Sequence, residues 1–402
     1  MSGTGGRAWL TLGLMSALFF IITATTYASL GLALPAMVAE LHWSWTEAGT
    51  GFGLLGLFNG ITSAVPATII RRLGVRACLL AGSVVMGLAF LALARTDGLV
   101  MYFAGASLAG LGFTLLDSVP GTYLLSRLFA RPSFSIGLFF TVGGLGGVAG
   151  PLLFLVVTGH HVGGGAGWRE YWMVAGTLVV LTGIAAALLV DSRTNVAVEA
   201  EEDPDISTES WTLRDALQTR QFWIIAAAYA AFLFCGITAN TVSVAHLTQH
   251  GVAMAIAISM LSVEGLLNSA ARLAGGILAR FINAKWLLVV SLGFLIMGLL
   301  ALGVARDTPM MLVYAAGIGI GYGLTFFAAT ILLLDYFGRG PYLELFSTVN
   351  LIATTGAVAP TLAGLTRDNT GGFMPFFIAL SIAVAIVLLA VACMRPPHRS
   401  GT

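Results

Sequence analysis

Arg272 stands inside an apolar run that extends over about residues 252 to 279. A guanidinium keeps its charge because its pKa exceeds about 12, and placing it in hydrocarbon costs from about 3 to more than 10 kcal/mol. Such a residue needs an anion or a water-filled hollow beside it. Glu264, Asn268 and Arg272 follow one another at intervals of four, which stacks them on one helical face. That stripe is expected to face an interior cavity. Glu264 is two turns from Arg272, so Asn268 or water would have to bridge the two; alternatively Glu264 is a polar residue facing another helix. Asp117 lies among Leu115, Leu116 and Val119 in a second apolar run. A carboxyl group in low dielectric favours its protonated form, which a proton-carrying site requires. Asp117 and Glu264 are therefore the proton-coupling candidates. A helix–helix hydrogen bond, or a fixed salt bridge to Arg272, is the competing structural use of each.

Other chemistry is thin. His246 and His250 are one turn apart but have no carboxylate neighbour, so no metal site is expected; an interfacial position, or protonation near pH 6.5, fits them better. Gly317, Gly319, Gly321 and Gly323 resemble a nucleotide loop only until one notes that they follow no strand. Paired carboxylates, metal clusters and activated nucleophiles are not recognisable, so neither an enzyme nor a cofactor is expected.

The elements that hold these residues follow from composition. Of 402 residues, 58% are hydrophobic and 9% charged, against about 25% charged in a soluble domain. Most of this surface is solvated by lipid. A spanning helix needs roughly 20 apolar residues, and twelve runs qualify: 8–35, 47–70, 75–95, 98–126, 133–158, 169–190, 220–246, 252–279, 284–305, 308–335, 341–365 and 371–394. The runs show no two-residue alternation, which selects helices over a barrel. The first run is too long for a signal peptide and is read as retained. Cys78, Cys235 and Cys393 show no ligand spacing and no disulfide framework. The net charge of +1 gives no nucleic-acid surface.

With the N-terminus in the cytoplasm, fourteen of the nineteen cations fall on that side: Arg7, Arg71, Arg72, Arg76, Arg127, Arg131, Arg193, Arg214, Arg220, Arg280, Lys285, Arg339, Arg395 and Arg399. Arg95, Arg169, Arg306 and Arg367 fall on the other, and Arg272 lies within a span. This is a strong positive-inside bias, with both termini cytoplasmic. The chain divides into a first six-helix half, 1–190, a cytoplasmic linker, 191–219, and a second six-helix half, 220–402. The linker carries Glu199, Glu201, Glu202, Asp203 and Asp205, and Thr212 with Asp215 reads as a capping box opening a short helix from Leu213 to Thr219 that runs into span seven.

An offset of 209 lays Gly56-Leu57-Phe58-Asn59-Gly60 on Gly265-Leu266-Leu267-Asn268-Ser269, Arg71 on Arg280, Arg76 on Lys285, Gly147 on Gly356 and Pro151 on Pro360. The halves are thus parallel copies, an architecture that places a substrate site near the bilayer midplane between them. Arg272 falls on Ser63, so the cation is a one-sided addition. Many of the 50 glycines, such as Gly143 with Gly147, Gly146 with Gly150 and Gly56 with Gly60, have the spacing of close helix packing. Trp43, Trp45, Trp168 and Trp172 are expected as interfacial anchors.

The twelve-span, two-half pattern with basic loops at 71–76 and 280–285 resembles the major facilitator superfamily, and within it the monocarboxylate porter and oxalate/formate antiporter group. The matching stretches are His42-Trp43-Ser44-Trp45, the run from Trp211 to Trp223, and Ala271-Arg272-Leu273-Ala274-Gly275-Gly276. The resemblance implies that Arg272 pairs with a substrate carboxylate, and that Tyr27, Tyr322 and Phe326 line the pocket with Asn268. Three departures stand out. Asn268 replaces the aspartate often found four residues before the arginine; Thr354-Thr355-Gly356 lacks the antiporter's second cation, which favours one carboxylate over two; and Arg71 and Ala279 stand where an acidic gate residue is usual.

The sequence therefore predicts an all-α, twelve-helix membrane carrier of the major facilitator fold. Its expected work is transport of small organic monocarboxylates by alternating access, coupled to protons, as a monomer in a bacterial inner membrane. Its partners are then a small organic anion, protons and lipid. An organic anion exchanger, a polyspecific drug exporter and a non-transporting receptor are the alternatives; the last lacks a signalling domain here.

Overall fold

The computed structural model describes residues 2–129, 132–159, 167–190, 211–279, 281–338 and 341–397. The acidic stretch of the linker, together with Arg131, Arg193, Arg280, Arg339 and Arg399, lies outside them. The first six spans comprise α1 (Ser2–Thr25), α2 (Tyr27–Leu41), α3 (Trp45–Ile61), α4 (Val65–Leu73), α5 (Val75–Ala94), α6 (Leu99–Leu116), α7 (Ser118–Leu128), α8 (Pro132–Gly159) and α9 (Gly167–Leu189). After α10 (Leu213–Leu217), the last six comprise α11 (Arg220–Gln249), α12 (Met254–Leu278), α13 (Ala284–Val304), α14 (Thr308–Phe337), α15 (Tyr342–Ala353), a 3-10 turn (Thr354–Val358), α16 (Ala359–Thr370) and α17 (Met374–Cys393).

Among the described residues, eleven helical segments are long and apolar enough to span, and the bent pair α3 and α4, taken as one span, makes twelve. The repeat is visible in the helix bounds. Trp45 and Met254, Val75 and Ala284, Leu99 and Thr308, and Leu128 and Phe337 each stand 209 apart and each begin or end a span.

Several boundaries differ from expectation for local reasons. The first span reaches Leu41 rather than 35, with Pro35 inside α2 and a break at Thr26. The Thr25 and Thr26 hydroxyls donate to the Ile21 and Ile22 carbonyls, and Ser29 to that of Ala24, so hydroxyls cover backbone freed near the break. The fourth span breaks at Asp117, which is the C-cap of α6 and N-cap of α7, whereas span ten is one unbroken 30-residue helix. The capping box of Thr212 and Asp215 forms, but α10 ends at Leu217 and Thr219 caps α11 afresh. Trp168 and Trp172 are buried and not interfacial: Trp168 donates to Glu40 and Trp172 packs on Phe90. Trp9, Trp223 and Trp286 are the exposed indoles toward the opposite end of the bundle.

Glycine spacing does the packing expected of it. The glycine series of α14 lies against α12 and α13; a Cβ on Gly317 would stand 2.5 Å from the Gly298 Cα. Gly317→Ala should therefore overpack this seam by about 1 to 3 kcal/mol. The expected outcome is a melting temperature lowered by several degrees in detergent, with loss of monodisperse protein in size-exclusion chromatography.

The two groups of helices meet toward one end, here termed the capped end, where residues 42–44 and 371–373 lie. There α3 packs on α16, α2 on α11 and α8 on α12. Ser262 of α12 donates to the Val148 carbonyl of α8 at 2.9 Å, and the Pro360 and Trp45 carbonyls occupy the space above Gly49 and Gly364. At the other, basic end, which carries Arg71 and Arg72, α4 and α7 pack on their own half and α15 on its own. The halves are joined at the capped end and diverge toward the basic one.

Candidate functional site

Arg272 is exposed on the inner side of α12, one turn beyond Asn268. Its Nε donates to Asn268 Oδ1 at 3.1 Å, the i to i+4 contact that the spacing implies. The guanidinium carbon lies 4.6 Å from the Phe326 ring centroid and 6.0 Å from that of Tyr322, both on α14. The negative ring face attracts the cation and fixes its plane. Among the described residues, no carboxylate stands at ion-pair distance from Arg272. The fixed salt bridge to Glu264 or Asp117 is thus not made, and the side chain stays exposed.

The aromatic wall beneath is built by three helices. Phe232 of α11 packs on Tyr322 at 4.6 Å and on Tyr229 at 4.6 Å, and Tyr229 reaches Phe326 at 6.1 Å. Tyr322 lies flat against α11 because residue 236 is glycine, whose missing Cβ leaves the ring its place. The Tyr229 hydroxyl donates to Asn350 Oδ1 at 3.1 Å, tying α15 to the same wall.

Across the cleft, the first half presents Tyr27, Asn59, Thr114 and Asp117. Asn59 Nδ2 donates to the Tyr27 hydroxyl at 2.7 Å while Thr114 donates to Asn59 Oδ1 at 2.7 Å. Phe113 meets the Tyr27 ring edge-on at 5.2 Å. The two walls belong to opposite halves, with Tyr27, Asn59 and Thr114 on α2, α3 and α6 and Arg272, Tyr322 and Phe326 on α12 and α14. Asp117 is half-buried at the break between α6 and α7, where the Ser118 hydroxyl touches its carboxylate at 3.3 Å.

The offset of 209 pairs Asn59 with Asn268 and Asp117 with Phe326. The asparagines are matched, one steadying a tyrosine and the other the arginine. Where the first half has a carboxylate, the second has the ring beneath the cation. The ionisable groups are therefore split, a carboxyl group on one wall and a guanidinium on the other.

Glu264 departs from the expected stripe. It is 7% exposed, and its Oε2 accepts from the Tyr314 hydroxyl of α14 at 2.9 Å. It faces another helix within its own half, since the α14 glycines draw that helix against α12. His246 is likewise buried, with Nε2 3.3 Å from the Gly303 carbonyl, and not interfacial. Among the described residues, no three His, Cys, Asp or Glu side chains gather as a metal site.

Asn59, Thr114, Tyr229 and Asn350 were not singled out by the residue patterns. Asn59 had a usable signal, because the repeat that aligns it with Asn268 marks both. Tyr229 and Asn350 had none, since their contact joins residues 121 apart in sequence.

The family model described as Major Facilitator Superfamily matches residues 15–355 of the chain. Monocarboxylate transporter 11 of Mus musculus is 28% identical over 399 residues, covering 94% of this chain and 85% of that protein. The Homo sapiens protein of the same name is 26% identical over 393 residues, covering 93% and 80%. An uncharacterised MFS-type transporter of Escherichia coli (strain K12), YhjX, is 22% identical over 335 residues, covering 80% and 79%. Among solved structures, a bacterial homologue of the human lysosomal transporter Spinster, crystallised in an inward-facing and unoccupied conformation, superposes with a TM-score of 0.72 at 14% identity. That match covers 97% of this chain and 94% of the homologue.

Proposed function

From the premise that this chain belongs to the major facilitator superfamily, we propose that it carries small organic monocarboxylates across a bacterial inner membrane by alternating access, coupled to protons. One observation carries the reading: a cation without a carboxylate partner among the described residues, held by Asn268 over the Phe326 and Tyr322 rings at the edge of an open cleft. A carboxylate offers two oxygens to the guanidinium fork in a geometry that a point charge cannot match. The Phe326 and Tyr322 rings offer an apolar surface beside the fork, and the single cation suits one carboxylate. The mouse and human relatives, both named monocarboxylate transporter 11, support this cargo.

In this reading the basic end faces the cytoplasm, with both termini there, and the protein works as a monomer. The capped end is then closed to the outside and the cleft opens inward. Asp117 is the proton carrier. It sits half-buried at a helix break, whereas Glu264 is buried and held inside its own half by Tyr314. Protonation of Asp117 cancels the charge of the empty carrier's first wall, and substrate cancels that of the second, so the loaded carrier changes face at lower electrostatic cost.

Proteoliposomes given a panel of labelled short acids, with and without an imposed pH gradient, test the proposal. Uptake of a monocarboxylate that accumulates only with the gradient is expected. Counterflow undiminished without a gradient would make the protein an exchanger, and uptake indifferent to the carboxylate would make it a drug-type exporter.

Tyr27 provides a milder check. Tyr27→Phe removes the hydroxyl that Asn59 holds while keeping the ring on Phe113. A loss of one neutral hydrogen bond is worth about 0.5 to 1.5 kcal/mol. KM should rise about three- to tenfold in concentration-dependent uptake, with the maximal rate little changed.

A further inference from the structure

We propose that Asp368 is the latch of the capped end, completing from the second half the N-terminal cap of a helix in the first. The first turn of any α-helix leaves backbone N–H groups without an intrahelical acceptor. In α3, Ser44 supplies the local cap. Its hydroxyl accepts from Glu47 N at 3.2 Å, and Glu47 Oε2 accepts in return from Ser44 N at 2.8 Å. This capping box serves the third position and leaves the N–H groups of Trp45 and Thr46 outstanding.

Both are taken by one carboxylate from more than 300 residues away. Trp45 N donates to Asp368 Oδ1 at 3.1 Å, Thr46 N donates to Asp368 Oδ2 at 2.8 Å, and the Thr46 hydroxyl donates to that same oxygen at 2.5 Å. A carboxylate at a helix N-terminus is favoured both by charge-assisted hydrogen bonds and by the partial positive charge of the helix end. Its placement is set one turn earlier on α16, where glycine at 364 lets the Trp45 carbonyl lie against the backbone. The neighbouring cation does not compete: Arg367 Nε donates to Gln249 at 3.2 Å, and its guanidinium lies over Phe373 at 6.0 Å.

These three hydrogen bonds join opposite halves, so the halves part at this end only by breaking them. The group is exposed, and water receives both the carboxylate and the N–H groups once it opens. The contact therefore sets how often the capped end opens, for any cargo, and it stands independently of the monocarboxylate reading.

The test is cysteine reactivity in purified, nanodisc-embedded protein. Cys393 is exposed and Cys78 and Cys235 are buried, so a Cys393→Ser background silences the accessible thiol. Ser262→Cys then reports on the seam between α12 and α8. Asp368→Asn and, separately, Thr46→Val should each raise the maleimide labelling rate of residue 262 about fivefold or more. The valine variant keeps the side chain's shape and removes a single donor, so it carries the test if the asparagine variant does not fold. Thr46→Cys with Asp368→Cys, oxidised to a disulfide, should suppress labelling and stop transport until reduced. Labelling rates unchanged in both single variants, or a disulfide that leaves rate and transport as they were, would overturn the assignment.

Discussion

Arg272→Lys is expected to lower carboxylate uptake about 100-fold although the charge is conserved. The lysine ammonium is a point charge that cannot present two parallel donors, and it loses the guanidinium's contact over the Phe326 ring. A charge-assisted hydrogen bond is worth about 1.5 to 3 kcal/mol, and each 1.4 kcal/mol is a factor of ten, so losing one such bond together with the ring contact accounts for two decades. The measurement is initial uptake into proteoliposomes at fixed protein density, beside a thermal melt. The melt should hardly move, because among the described residues Arg272 makes a single side-chain hydrogen bond, to Asn268 within its own helix. Uptake near the unsubstituted rate would make Arg272 a structural residue and remove the basis for a carboxylate cargo.

Asp117→Asn should have the second largest effect and a different character. Asparagine matches the carboxylate in shape and can keep the Ser118 contact, but it carries no exchangeable proton charge. Accumulation driven by a pH gradient should fall to the level seen without one, a loss of at least about tenfold, while counterflow of preloaded substrate persists. The paired substitution Glu264→Gln should leave both accumulation and the melting temperature largely intact, because a glutamine Oε1 can still accept from Tyr314 inside the second half. If the two variants exchange behaviours, the proton path runs through α12 and α14 and not through the break in span four.

Composition and repeat made most of the architecture legible. Twelve apolar runs and one offset of 209 residues place every span, because lipid demands continuous apolar helices and duplication preserves their lengths. The pairing of Arg272 with Asn268 was legible from spacing alone, as was the capping box at Thr212. The helix breaks were not. Asp117 sits among Leu115, Leu116 and Val119 in a run that reads as unbroken, and the same register in the second half, around Phe326, is unbroken. Trp168 and Trp172 misled for a related reason. An indole near a span end fits an interfacial role, yet here Glu40 and Phe90 from other helices draw both inward. Glu264 shows the same limit: four-residue spacing fixes a helical face, but which helix that face meets depends on glycines some 50 residues later.

The interruptions at Thr26 and Asp117 bear on solvation. At each, the first N–H groups of the following helix begin within the span, and neither Thr26 nor Asp117 supplies a side-chain cap to them. A lipid interior offers nothing to such groups; Asp117 stands half-buried, where water of the cleft can reach the break, whereas Thr26 is buried among its neighbours. In the carboxylate reading, an anionic guest entering beside Asp117 would meet a polar lining on one flank and an aromatic one on the other, and exchange of water for carboxylate oxygens would be part of its binding equilibrium.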